Sequence, residues 1–172
     1  MDAALNRRDL IKVLGAAFAT LQLPAAEPGA PLFFTKDEFV LLDTLTEMII
    51  PADSHSGGAH DAGVAAFIDR TVAEAYVPEE KTSWRKGLAA MNDFSQQRNG
   101  APFLRTSKAQ QTELLKTLAS AETHATTEPE KFFAQVKQTT AFAYYTSSTG
   151  IHDDINYKGN VLLDKFVGYD AT

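Results

Sequence analysis

The sequence contains no cysteine among its 172 residues. This absence excludes disulfides, thiol nucleophiles, thiolate zinc sites, iron–sulfur ligation and covalent c-type haem attachment through C-x-x-C-H. Positive charge is also scarce, because 16 lysines and arginines face 22 aspartates and glutamates, giving a formal net charge of −6. That balance argues against a nucleic-acid-binding surface. The sequence also contains neither G-x-G-x-x-G nor a Walker A loop, so nucleotide or flavin binding by this chain finds no support.

The composition is that of one ordinary globular domain. Hydrophobic residues make up 44% of the chain, charged residues 22% and aromatic residues 10%. A chain of this length buries one sizeable core and leaves little room for a second domain.

The N-terminal 30 residues differ from the rest of the chain. Arg7 and Arg8 precede a moderately apolar run over residues 13–19, and a Pro/Ala/Gly stretch follows. This order predicts a twin-arginine export signal and linker over residues 1–30, and therefore a periplasmic protein. The run is well short of the roughly 18 residues that span a bilayer, so no membrane span is predicted. The alternative is an amphipathic first helix of a cytoplasmic protein.

From residue 31 onward the apolar residues recur at helical spacing. The pattern predicts a single all-α domain over residues 31–172, a compact bundle of five or six helices. A capping box, Thr35 with Glu38, begins the first helix, and Pro51 ends it. The other helices are expected from near Asp61, from about 78 to 98, after a Ser107 cap, and from Pro129 to about 146. The predicted buried faces include Phe39, Leu42, Leu45, Val64, Phe67, Ile68, Trp84, Leu88, Leu114, Leu118, Phe132, Val136 and Phe142.

The stretch IIPADSHSGGAHDAGVAAFIDR, residues 49–70, is rich in metal-ligating residue types. His55 and His60 could bind a metal with nearby aspartates, but they lie five apart and no H-E-x-x-H motif is present. A structural loop is the better-supported interpretation. Asp53 and Ser54 would satisfy backbone groups, Gly57–Gly58 would supply a turn with positive φ, and Asp61 or His60 would sit at the next helix start.

A second cluster, AYYTSSTGIHDDINYKGN, spans residues 143–160. A Ser/His/Asp triad can be drawn from Ser147 or Ser148, His152, and Asp153 or Asp154, but no G-x-S-x-G elbow accompanies it. Tyrosines beside a glycine-containing turn are more typical of a contact surface, with one ring packed in the core and the other exposed.

Several segments of the sequence, taken in order, resemble those of a known protein family. FTKDEFVLLDTLTEMIIPAD, GAHDAGVAAFID, FF…TTAFAYYTSSTG and NYKGN occur in this order, and the resemblance covers about residues 33–160. They resemble the gluconate 2-dehydrogenase subunit 3 family, the small gamma-type subunits of sugar and polyol dehydrogenases.

The resemblance implies a non-catalytic partner without catalytic, cofactor or metal residues of its own. A large subunit of the glucose–methanol–choline type would bind FAD and oxidise the sugar, and a cytochrome c subunit could join the complex. The small subunit would escort the large one through twin-arginine export. The partner-interface candidates are Pro51, Asp53, Gly58, Tyr144, Tyr145 and Tyr157.

Two other functions stay open at this point. One is a small metal-dependent hydrolase that uses His55, His60 and His152 with nearby aspartates. The other is an exported helical binding protein without an enzyme partner.

Overall fold

The computed structural model describes residues 30–157 and residue 159. Over these residues the chain forms five α-helices: α1 Lys36–Ile49, α2 Val64–Glu74, α3 Pro78–Asn99, α4 Lys108–Ser120 and α5 Glu128–Tyr145. Two 3₁₀ turns, Phe103–Arg105 and Glu122–His124, and a π-helix, Thr149–Asp154, connect or follow them. No strand occurs among the described residues, so the predicted all-α class is confirmed. The predicted export segment, with Arg7 and Arg8, lies outside the described residues apart from residue 30.

Helix α5 is the centre of the bundle, because the other four helices all pack against it. Its buried side chains follow helical spacing at Phe132, Val136, Thr140 and Ala143. The core opposite this stripe is built mainly from aliphatic residues of α1, α2, α3 and α4, joined by Trp84 and Phe103. Burial of this contiguous apolar set is the main stabilising contribution to the fold.

The helix ends follow the capping signals in the sequence. Thr35 and Glu38 form the predicted capping box of α1, and Ser107 caps α4, with Gln110 completing a second box. Gly100 ends α3 in the left-handed region at φ 76°, where glycine carries no steric penalty. These confirmed ends set the lengths of the helices that form the bundle.

Gly87 of α3 lies against the Phe132 side chain of α5. A Cβ atom added there would lie 1.9 Å from the Phe132 ring of α5. Glycine is therefore required for α3 and α5 to pack at this distance.

The predicted burial of two phenylalanines is wrong. Phe67 is 43% exposed and Phe142 is 61% exposed. Each precedes a buried residue, Ile68 and Ala143 respectively, and is therefore rotated about 100° around its helix from the buried stripe. A single-residue offset on a helix is enough to move a side chain from the core to the surface.

Asp69 anchors the chain segment that leads into α1. This carboxylate is only 3% exposed, and it accepts hydrogen bonds from the backbone N–H groups of Leu32, Phe33 and Phe34. Arg85 adds a hydrogen bond to the Phe33 carbonyl at 2.9 Å and lies over the Phe33 ring. The segment just after residue 30 is thus fixed to α2 and α3.

In the part of the chain that the structure describes, no helix is both long enough and apolar enough to cross a bilayer.

Candidate partner interface

The loop between α1 and α2, residues 50–63, is fixed by a carboxylate of α1. The Glu47 oxygens accept hydrogen bonds from the backbone N–H of Ala52 at 3.0 Å and of His60 at 2.8 Å. A Cβ on Gly58 would lie 2.5 Å from both Glu47 oxygens and from the Ala52 nitrogen. Gly58 therefore allows the loop to fold tightly over the end of α1.

Asp53 shapes the first half of this loop. Its Oδ1 accepts from the backbone N–H of His55 at 2.7 Å and of Ser56 at 2.9 Å. These two hydrogen bonds, that from Ser56 first, hold the pKa of the exposed Asp53 carboxyl below its ordinary value. The predicted role of Asp53 in satisfying backbone groups is confirmed.

The second half of the loop differs from the prediction. The positive φ lies at Gly63, with φ 68°, and neither Gly57 nor Gly58 has one. Helix α2 begins at Val64 with Gly63 as N-cap, so neither His60 nor Asp61 caps it. The backbone turns of residues 59–63 continue the loop beyond Asp61, and the close approach to Glu47 explains the need for Gly58.

His60 pairs with α1 instead. Its Nδ1 lies 2.8 Å from Asp43 Oδ2, and this hydrogen bond raises the pKa of the His60 imidazole, with the Asp43 charge adding to the effect. The imidazole is mostly solvent-exposed, since the His60 side chain is 67% accessible, whereas the Asp43 side chain is 26% accessible.

Tyr144 joins the loop to the end of α5. This side chain is 1% exposed, and its hydroxyl donates to the Gly57 carbonyl at 2.8 Å and lies 3.1 Å from Ser56 Oγ. His55 Nε2 lies 3.3 Å from the Asp154 carbonyl oxygen. The two stretches singled out in the sequence are therefore in direct contact.

An exposed aromatic patch, formed by Phe67, Phe142 and Tyr145, lies beside this junction. The Phe67 and Phe142 ring centroids are 6.2 Å apart, and Tyr145 packs edge-on against Tyr144 at 5.2 Å. Phe142 and Tyr145 are three residues apart, which makes them neighbours on the α5 surface. Partial burial raises the pKa of the Tyr145 phenol, and the nearby Asp154 carboxylate raises it further.

Residues 36–161 match the model of a protein family described as gluconate 2-dehydrogenase subunit 3. The chain belongs to this family. The match covers all five helices, the 50–63 loop and the aromatic patch, and it confirms the resemblance predicted from the sequence. Membership makes this subunit 3 chain a component of a dehydrogenase complex. No curated protein and no solved structure matches the chain.

The predicted interface residues of this subunit 3 chain fall into two groups. Pro51 and Asp53 are exposed in the loop, and Tyr145 and Tyr157 are 46% and 49% exposed. Gly58 and Tyr144 are buried, and they position the loop from the side that faces the core. Contact with a partner stays a prediction for all of them.

The two phenylalanines of the patch, Phe67 and Phe142, were not predicted to be surface residues. Their positions in the sequence could have indicated exposure, because each is a large apolar residue one position away from the buried stripe of its helix. Side chains of this size on an exposed face are typical of interaction sites.

The alternative chemistries receive no geometric support in the subunit 3 chain. No group of three or more His, Cys, Asp or Glu residues is placed to hold a metal ion within the described residues. The Ser147 hydroxyl donates to the Tyr144 carbonyl and accepts from Gly150 N–H. His152 Nδ1 lies 3.3 Å from the Tyr157 carbonyl oxygen, so Ser147 and His152 serve separate local contacts.

Proposed function

We propose that this chain is the non-catalytic small subunit of a periplasmic, FAD-dependent sugar or glycoside dehydrogenase complex. Membership of the subunit 3 family over residues 36–161 is the observation that carries the proposal. The subunit stabilises a large catalytic flavoprotein and escorts it through twin-arginine export. FAD and the reacting groups belong to that large subunit, which is of the glucose–methanol–choline type, and a cytochrome c subunit is a further component.

The escort role is supported by two features near the N-terminus. Arg7 and Arg8 stand where a twin-arginine signal requires them, although they lie outside the described residues. The fold begins soon after the signal, because Asp69 fixes residues 32–34. A signal attached to a folded subunit suits a route that transports folded proteins and their bound partners.

The docking role falls to the aromatic patch and the adjoining loop. Phe67, Phe142 and Tyr145 expose large rings, whereas six other aromatic residues are buried: Phe34, Trp84, Phe103, Phe132, Phe133 and Tyr144. Aromatic residues are enriched in protein interfaces, where each supplies a large contact area. The buried Tyr144 keeps the loop in a fixed position beside the patch, so the surface is formed before the partner binds.

A pull-down from the native host tests the proposed complex. The chain, tagged after Thr172, is expected to retain a second chain of flavoprotein size whose absorption spectrum shows bound oxidised flavin. The retained complex is expected to reduce a dye acceptor when supplied with the correct sugar. Recovery of a colourless, solitary chain would contradict the proposed function.

Substitution of the patch tests where the partner docks. Phe142→Ser is expected to weaken binding of the flavoprotein about thirtyfold or more, since truncation of an interface aromatic residue costs about 2 kcal/mol or more at hot spots. Tyr76→Ser is the matched control, because Tyr76 is 98% exposed and lies beyond the end of α2. Equal retention by the two variants would place the interface on another face.

A further inference from the structure

A groove with basic side chains opens on the face formed by α1, α4 and α5. Its volume is about 430 Å³, within the range of about 300 to 1,000 Å³ that is usual for small-molecule sites. Its floor is apolar and is formed by Met48, Ile49, Leu115 and Phe133. Leu115 and Phe133 belong to the buried core, and Met48 and Ile49 pack against it. A ligand lying here would remove apolar surface from water.

The positive charge around this groove is unusual for an acidic chain. Lys108 and Lys116 of α4 and Lys137 of α5 line it, on a protein whose formal net charge is −6. Lys137 is paired with Glu122. Lys108 and Lys116 have no ion-pair partner among the described residues.

Among the described residues that line this groove, one is acidic, Glu47, and its carboxylate is hydrogen-bonded to the backbone of the 50–63 loop. Glu47 uses its carboxylate oxygens for the Ala52 and His60 backbone N–H groups. Two unpaired ammonium groups therefore remain beside an apolar floor. This combination complements an anion that carries an apolar body.

The groove follows helix α4 for about three turns. Its α4 wall runs from Lys108 to Ala119, which is about 16 Å at the rise of an α-helix. A single flexible chain can lie along this wall with its charged end at a lysine.

We propose that this groove binds a free, single-chain anionic amphiphile of the fatty-acid type. The carboxylate lies between the Lys108 and Lys116 side chains, and the chain covers the floor at Leu115 and Phe133. The site is separate from the aromatic patch, although Pro51 of the adjoining loop also lines the groove. Lys137 and Phe142 are five residues apart on α5, which places them about 140° apart around the helix.

The experiment measures binding of decanoate to the full chain by isothermal titration calorimetry, below the micelle-forming concentration. We expect saturable one-to-one binding. Lys108→Gln and Lys116→Gln should each weaken it about two- to fivefold, as is typical of one exposed ion pair, and the double variant about tenfold. Lys86→Gln removes the same charge from an exposed position of α3 and should leave binding unchanged.

Two further arms separate the groove from non-specific binding. Ala119→Trp fills the groove from an exposed position of α4 and should abolish decanoate binding while the circular dichroism spectrum stays helical. Decyltrimethylammonium, which has the same tail and the opposite charge, should bind at least tenfold more weakly than decanoate.

Undetectable decanoate binding, or equal binding by the wild type and the double lysine variant, would overturn the proposal. Binding restricted to phosphatidylglycerol vesicles would overturn it too, because the groove would then be recognising a lipid surface.

Discussion

The Asp69 carboxylate is the buried charged group with the clearest structural task. It accepts three hydrogen bonds, from the backbone N–H groups of Leu32, Phe33 and Phe34. Charge-assisted hydrogen bonds of this kind are stronger than neutral ones. Asp69→Asn keeps the shape but replaces one acceptor oxygen by an N–H₂ donor, which would face either the Leu32 amide or the Phe33 and Phe34 amides. We expect the free energy of unfolding to fall by about 2 to 3 kcal/mol, measured by urea denaturation.

Asp93→Asn provides the control for this substitution. Asp93 is exposed on α3, so its replacement should change the free energy of unfolding by less than about 0.5 kcal/mol. Equal stability of the Asp69→Asn and Asp93→Asn variants would show that the Asp69 hydrogen bonds add nothing to the fold.

The His60–Asp43 pair is expected to make stability depend on pH. Asp43 raises the pKa of folded His60 above the ordinary value of 6.5. The stabilisation is therefore fully present below about pH 6.5 and is lost as the pH rises through the folded-state pKa. The free-energy difference between wild type and Asp43→Asn should be larger near pH 5.5 than near pH 8.5. The effect is modest, because the imidazole is mostly exposed.

NMR titration of the His60 ring protons measures the pKa directly. Asp43→Asn should lower the pKa of His60 towards 6.5, whereas Asp153→Asn, which removes a carboxylate that does not contact His60, should leave it unchanged. If the pKa of His60 stayed the same in Asp43→Asn, the hydrogen bond would not be the cause of the shift.

At the scale of the elements, the 50–63 loop depends on α5 through one hydroxyl. Tyr144→Phe removes the hydrogen bonds to the Gly57 carbonyl and Ser56 Oγ while the ring stays in the core. We expect a loss of about 1 kcal/mol in stability. Hydrogen exchange at the Asp53 and Ala59 amides, which bond within the loop, should become faster.

Tyr76→Phe is the control for the loop, because Tyr76 is almost fully exposed. Amides in the middle of α3 should exchange at unchanged rates in both variants, since their opening does not involve the loop. Faster exchange throughout the bundle would indicate global destabilisation and would contradict a local role for Tyr144.

The elements differ in how far their sequence determines them. The capping boxes at Thr35 and Ser107 and the breakers Pro51 and Gly100 act locally, and the helix ends that they predict are confirmed. The start of α2 was predicted too early, because the tight loop fold is set by the distant carboxylate of Glu47. Asp69 and the Tyr144 hydroxyl likewise act over tens of residues of sequence, which local patterns do not reveal.

At the scale of the whole molecule, the one contiguous core of the described residues is consistent with the proposal that the subunit folds before it is transported. Under the proposed function, a folded small subunit would present the aromatic patch and the loop as a formed surface, and the flavoprotein would dock there before export. On this proposal, one signal serves two chains. The localisation of the large subunit then depends on residues of the small one.

Replacement of both arginines tests this dependence. Arg7→Lys together with Arg8→Lys keeps the charge but removes the planar guanidinium groups, and the two side chains are not equivalent in recognition. We expect the small subunit and its flavoprotein both to remain in the cytoplasm, as measured by immunoblots of periplasmic and cytoplasmic fractions. Arg98→Lys makes the same change on α3 and should leave both chains exported. If the flavoprotein still reached the periplasm while the small subunit stayed in the cytoplasm, the escort mechanism would be wrong. A complex of the two chains retained in the cytoplasm would show that assembly precedes transport.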